Sequence, residues 1–177
     1  MPRPEMLLPG DLPVALQLGL TPAPSFEALS AAVGISTSMA YRAVQRLERA
    51  SLVIVPHRRL AVQTFMDLVG HGLRHVYYAE MGPETLGVPT AHAVGRLAEA
   101  IVSDRPYVWP SARGSVRGDS ITPLFSGAAE LPASNPALYE ALALIDAVRV
   151  GRVRERRLAV EFLEDMLVGT RSADVES

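Results

Sequence analysis

Cysteine and lysine are both absent from this 177-residue chain. Without cysteine there is no disulfide, no thiol nucleophile and no cysteine-ligated zinc. Without lysine, all 17 basic residues are arginine. Together with abundant alanine and valine this bias points to GC-rich coding, so a single arginine says little about function. A large excess of charge is missing too. The formal net charge of −2 excludes a uniformly basic coat and confines any nucleic-acid surface to a local patch. Long apolar runs are lacking at the start: "MPRPEMLLPGDLPVALQLGL" is broken by Pro9, Gly10, Asp11 and Pro13. It has the form of neither a signal peptide nor a membrane span, and the expected location is the cytoplasm. What the chain does have is a hydrophobic content of 49%, enough for a core in one moderate domain or two small ones.

Helical signals come first. Asp11 is placed to cap a short helix, with Pro13 in its first turn and Val14, Leu16, Leu18 and Leu20 as apolar contacts. "TPAPS" ends it. Ser25 can cap a second helix in which Phe26, Leu29, Ala32 and Val33 recur at helical spacing, and Gly34 closes it as a left-handed residue. Ser36 caps a third, reaching about Ala50. "LVIV" (52–55) reads as a strand and "PHRR" as a turn. Ala61, Phe65, Leu68 and Val69 read as a helix stopped near Gly70 to Gly72, and "RHVYYA" (74–79) has strand character. "EMGPETLGVPT", with Gly82, Pro83, Gly87 and Pro89, reads as a loop.

Thr90 then caps a helix bearing Val94, Leu97, Ala98, Ile101 and Val102, while "PYVWP" and "SVRGDSITPLF" look extended. Asn135 and Pro136 open the terminal helices, 136–150 and 152–168, which Gly151 separates. The expectation is an α+β protein. Residues 1–72 form a helix-turn-helix unit, 73–170 a small α+β domain ending in two helices, and 171–177 a flexible tail.

The third helix carries the functional signal. Ala40, Ala43, Val44 and Leu47 fall on its inner face, and the small alanines let the second helix cross closely. Thr37, Ser38, Tyr41, Arg42 and Gln45, spaced by three and four, form a polar ridge opposite. A glycine turn, a short apolar seam and an exposed ridge make up a helix-turn-helix suited to the major groove. Ser36, Thr37 and Ser38, at the positive end of the helix dipole, can bind a phosphate. Arg42 can pair with guanine and Gln45 with adenine, each good pair being worth roughly 1–3 kcal/mol of discrimination. Arg46, Arg49, Arg58 and Arg59 suit phosphates. Between residues 21 and 62 these arginines and Arg42 face only Glu27 and Glu48, which makes the segment +3 in a protein of net −2.

"SFEALSAAVGISTSMAYRAVQRLERASLV" resembles the DNA-binding core of bacterial winged helix-turn-helix transcriptional regulators of the MarR-like or GntR-like kind. Gly34, Ile35, Ala40, Ala43, Leu47, Glu48 and Leu52 occupy the matching positions, and the likeness covers about residues 11–62. It implies that Thr37, Ser38, Tyr41, Arg42 and Gln45 face DNA and that a wing follows the third helix. The short "PHRR" departs from a wing of ordinary length. Such regulators generally bind as homodimers, because two recognition helices about 34 Å apart read successive major grooves of an inverted repeat. The block "HVYYAEMGPETLGVPTAH" is similar to the partner-bearing half of winged-helix proteins encoded beside nucleotidyltransferase-type toxins, which implies a toxin–antitoxin pair.

The remaining residues offer little chemistry. His71 and His75 are four apart but lie in no "HExxH" pattern, and His92 and Glu80 could join them only through the fold. Neither "GxSxG" nor a phosphate-binding loop is present, and "RGD" (117–119) reads as a turn. No enzyme, metal or cofactor is expected. Tyr77, Tyr78, Tyr107 and Trp109 are candidates to line a ligand pocket or partner surface, or else to form the core of a small sheet. "VRVGRVRERR" (148–157) gathers Arg149, Arg152, Arg154, Arg156 and Arg157, for DNA, for an acidic partner, or as a solvated face. The reading is therefore a DNA-binding regulator, an autoregulating repressor acting as a dimer on double-stranded DNA. Its rival is a protein-interaction module, an antitoxin that neutralises a toxin with little or no DNA binding.

Overall fold

In the computed structural model, which describes residues 6–23 and 25–175, with side-chain surroundings through Gly169, the second and third helices follow their capping signals. Helix α2 (Phe26–Val33) is capped by Ser25, whose hydroxyl accepts the Ala28 N–H at 3.1 Å. Helix α3 (Thr37–Arg49) is capped by Ser36, which accepts the Met39 N–H at 3.2 Å. Gly34 sits between them at φ +79°, a left-handed conformation that an L side chain resists although the space around it is open. Helix α1 (Asp11–Leu20) departs from expectation at its start: Gly10 takes the cap position and Asp11 lies inside the first turn.

That shift puts Asp11 in the interior, 1% exposed, where it meets Arg46 of α3. Arg46 Nε donates to Oδ2 at 2.8 Å and a terminal nitrogen to Oδ1 at 2.7 Å, while the Leu8 N–H also donates to Oδ2. The contact fixes α1 across α3 with a two-pronged, charge-assisted bond.

After α3 comes a minimal hairpin, β1 (Val53–Ile54) and β2 (Arg59–Leu60), in which Val53 pairs with Leu60 and Ile54 with Arg59. It is shorter than the four-residue strand read from "LVIV". The chain then enters α4 (Val62–Asp67), a π turn (Leu68–Gly72) and α5 (Leu73–Val76) without a break. Two expectations fail here: the glycines do not stop the helix, and residues 74–76 are not a strand. Val62, Phe65, Met66, Val69, Leu73 and Tyr77 are all buried. The widened turn adds the residue needed to keep Leu73 and Tyr77 in phase with that side.

The largest correction concerns residues 80–90. The expected loop is mostly strand β3 (Met81–Thr90). It pairs antiparallel with β4 (Tyr107–Pro110) and β5 (Val116–Ile121), and β4 and β5 pair in parallel, so the three strands close on one another. The glycines that suggested a loop are sites of close backbone approach. A Cβ on Gly87 would lie 2.2 Å from the Trp109 carbonyl oxygen, and one on Gly118 would lie 2.2 Å from that of Pro106. Pro83 falls where the β3–β5 register slips between Met81 and Glu84. The "RGD" turn is likewise part of β5.

Thr90 ends β3 and makes no cap bond; the helix expected there is only α6 (Gly95–Ala100). A short α7 (Leu131–Ser134) precedes α8 (Pro136–Val150) and α9 (Val153–Val175). The helix thus continues past position 170, where a flexible tail is expected; residues 176 and 177 lie outside the described residues. Asn135 caps α8 through the Leu138 N–H. Its amide nitrogen also donates to Gln17 Oε1 at 2.7 Å and to the Ala32 carbonyl at 2.9 Å, stitching α8 to α1 and α2. Every residue from Ala141 to Val148 is buried, where one apolar face is expected, because α1, α5, α9 and β3 all pack on α8. One hydrophobic cluster runs from Leu12 to Leu167. Among the described residues no helix is long and apolar enough to cross a membrane.

Arg46→Ala is expected to destabilise the fold by about 3 kcal/mol or more, because it strands a buried carboxylate. Urea unfolding measures this, and Arg49→Ala, on the same helix but exposed, should change the midpoint little.

Candidate nucleic-acid interface

On α3 the inner residues Ala40, Ala43, Val44 and Leu47 are buried, while Ser36, Thr37, Ser38, Tyr41, Arg42 and Arg49 are exposed and Gln45 is half-buried. The ridge therefore stands clear of the rest of the protein. Its side chains are partly pre-set. Thr37 Oγ1 lies 3.3 Å from Ser30 Oγ of α2, and Gln45 Nε2 donates to the Tyr41 hydroxyl at 2.9 Å. The Tyr41 ring meets the Phe26 ring edge-on at 5.3 Å.

Phe26 links the ridge to the hairpin. The Arg58 guanidinium sits 4.7 Å from the centre of its ring and donates to the Ala23 carbonyl at 3.3 Å. Arg58 holds φ +47° at the hairpin tip. Backbone and Ser25 hydrogen bonds, with a smaller contribution from Arg58, hold the nearby Glu27 carboxyl below its ordinary value. Sequence reasoning treats Phe26 only as a core residue. Its position at the head of α2, facing a tyrosine on α3, is the signal that could have placed it on this surface.

Arg42, Arg49 and Arg59 make no ion pair among the described residues. Arg46 is the correction: expected on a phosphate, it is buried against Asp11 and takes no part in the surface. Four arginines on or beside the ridge thus remain against Glu27 and Glu48.

The four aromatic candidates do not converge on one pocket. Tyr77 is buried, its hydroxyl donating to the Leu7 carbonyl at 3.0 Å, and burial together with Asp11 raises its pKa. Tyr78 is exposed. Tyr107 packs edge-on against His92 at 5.2 Å, and its pKa is raised by burial and by Glu155 and Asp119. Trp109 is 2% exposed and serves the core.

What Trp109 serves is a carboxylate that the sequence offers only as an acid near the 148–157 arginines. Asp146 lies 1% exposed within "ALALIDAV" of α8, a lone acid in an otherwise apolar run, which is the signal that could have found it. Burial pushes its carboxyl above its ordinary value, against the opposing pull of Arg149. Trp109 Nε1 donates to it at 2.6 Å, Thr90 Oγ1 at 2.8 Å and Arg149 at 2.6 Å. Arg149 also donates to the Tyr77 and Thr122 carbonyls, so this member of the 148–157 cluster is structural. Tyr139, which packs edge-on against Trp109 and donates to the Pro89 carbonyl, has its hydroxyl pushed by burial to about 12.

Among the histidines, His71 Nδ1 lies 3.1 Å from the Asp67 carbonyl, His75 is exposed, and both ring nitrogens of His92 are buried without a hydrogen-bond partner. Among the described residues no group of three or more His, Asp or Glu is placed to hold a metal ion. No family model, curated protein or solved structure matches the chain.

Asp146→Ala is expected to cost about 3 kcal/mol or more, since it takes the counter-charge from the Arg149 side chain and leaves an indole N–H and a hydroxyl without their acceptor. Thermal unfolding reads this, and quenching or shift of fluorescence from the single tryptophan should report the altered surroundings of Trp109.

Proposed function

We propose that the protein is a sequence-specific DNA-binding transcriptional regulator of the winged helix-turn-helix kind, with α3 as the helix that enters the major groove. The observation that carries this reading is the uncovered ridge from Thr37 to Gln45, on a helix whose opposite face is locked to α1 and α2, with Arg42, Arg49 and Arg59 on or beside it making no ion pair among the described residues. Arg42 reads guanine; Tyr41 and Gln45, already bonded to each other, present a pre-arranged polar pair to the neighbouring bases. The serines at the head of α3 and Arg49 hold phosphates. The β1–β2 hairpin is the wing, and Arg58 and Arg59 contact the backbone beside the groove.

The regulator acts as a homodimer on an inverted repeat and represses its own operon. A protein-interaction role, such as neutralising a toxin, is the second reading. The exposed Val76 and Tyr78, which line one surface hollow, favour it, because large apolar side chains grouped at a surface mark a docking site.

Fluorescence anisotropy of a labelled duplex from the gene's own upstream region tests the first reading. Six or more phosphate contacts should weaken binding about a thousandfold or more between 50 and 200 mM salt. Arg42→Ala should relax sequence preference, whereas Arg49→Ala should weaken all duplexes alike. Affinity indifferent to salt, sequence and both substitutions leaves the interaction module as the correct reading.

A further inference from the structure

Two of the exposed side chains on α3 are large and apolar: Met39 at 56% and Tyr41 at 49% exposure. The others, Thr37, Ser38, Arg42 and Arg49, are polar or charged. Tyr41 is accounted for within the protein, its ring against Phe26 and its hydroxyl accepting from Gln45. Met39 is accounted for only at its backbone. Its N–H donates to Ser36 Oγ at 3.2 Å, which fixes the residue in the first turn of the helix. Its side chain belongs neither to that cap nor to the seam of Ala40, Ala43, Val44 and Leu47.

A lone apolar side chain on a surface is ordinary. The place of this one is not. In a helix-turn-helix the N-terminal residues of the second helix are the ones that reach base edges. Met39 follows Ser38 in that turn and lies three residues before Arg42, so the two side chains are surface neighbours. A duplex seated on Ser38 and Arg42 would cover it. Methionine brings no strong donor or acceptor to the groove, only a flexible, polarisable apolar chain. The major groove presents one apolar group to such a chain, the C5 methyl of thymine.

We propose that Met39 is a specificity-determining residue that reads a thymine methyl in the base pair next to the guanine taken by Arg42. Three residues advance a helix by about 4.5 Å, close to the step of about 3.4 Å between base pairs. The assignment deepens the DNA-binding reading and rests on α3 entering the groove.

The probe is the upstream duplex with deoxyuridine in place of thymine, which removes the methyl and keeps every pairing edge. Fluorescence anisotropy should show the wild-type protein binding the substituted duplex more weakly. Single replacements should trace a loss of about fourfold to one thymine in each half-site, the size expected for one buried methyl. That thymine should adjoin the guanine whose replacement Arg42→Ala tolerates. Met39→Ala should bind the two duplexes alike, and Met39→Leu, still apolar, should keep most of the difference. Position 39 is exposed, and circular dichroism melting checks that both variants are folded. Failure of the wild-type protein to bind any thymine duplex overturns the DNA-binding reading and this assignment with it. Duplex binding with no difference between thymine and deoxyuridine, or with a difference that Met39→Ala keeps in full, overturns the assignment alone.

Discussion

The paired carboxylate and guanidinium of Asp11 and Arg46 are the contact on which the N-terminal half depends. Each is buried, so each would be costly alone; together they satisfy one another through two short hydrogen bonds. A buried pair of this type adds little net stability over apolar packing, but it tolerates very few geometries. It therefore sets the position of α1 on α3. Since α1 also meets α2, α8 and α9, the direction in which the α3 ridge points is referred to the whole core. Asn135 adds a second tie, bonding both α1 and α2 from the head of α8.

The C-terminal half repeats the device with different partners. Asp146 and Arg149 lie on one helix and draw in Thr90 and Trp109 from the ends and middle of the small sheet. In a chain whose only strong cation is arginine, these two buried pairs sort the arginines into kinds. Arg46 and Arg149 organise the interior. Arg58 stacks on an aromatic ring and bonds a loop carbonyl. Arg42, Arg49 and Arg59 make no ion pair among the described residues and stand on or beside the α3 ridge. Composition alone made every arginine equal; burial separates them.

Helices with explicit start and stop chemistry were legible in the sequence. Ser25, Gly34, Ser36 and Asn135 each occupy the predicted cap, because a cap is a local device whose hydrogen bonds close within a few residues. The ridge and seam of α3 were legible for the same reason. The failures are all non-local. Asp11 looked like a cap because nothing in its neighbourhood reveals Arg46, 35 residues away. Gly82, Pro83, Gly87 and Pro89 argued for a loop because glycine and proline usually do. Only the strands that later come within contact of Gly87 explain why a side chain is forbidden there. Residues 74–79 have strand character in the sequence, yet 74–76 are helical. The core side of the helix overrode that propensity, by way of the π turn.

Closure of β3, β4 and β5 has a bearing on assembly. An open sheet offers its outermost backbone amides and carbonyls to any extended chain nearby, including another copy of the same protein. Here β3 is flanked on both sides, and its two neighbours join each other in parallel. Augmentation by an added strand would have to tear apart a pairing already made. Edge-to-edge growth through this sheet is thereby closed off.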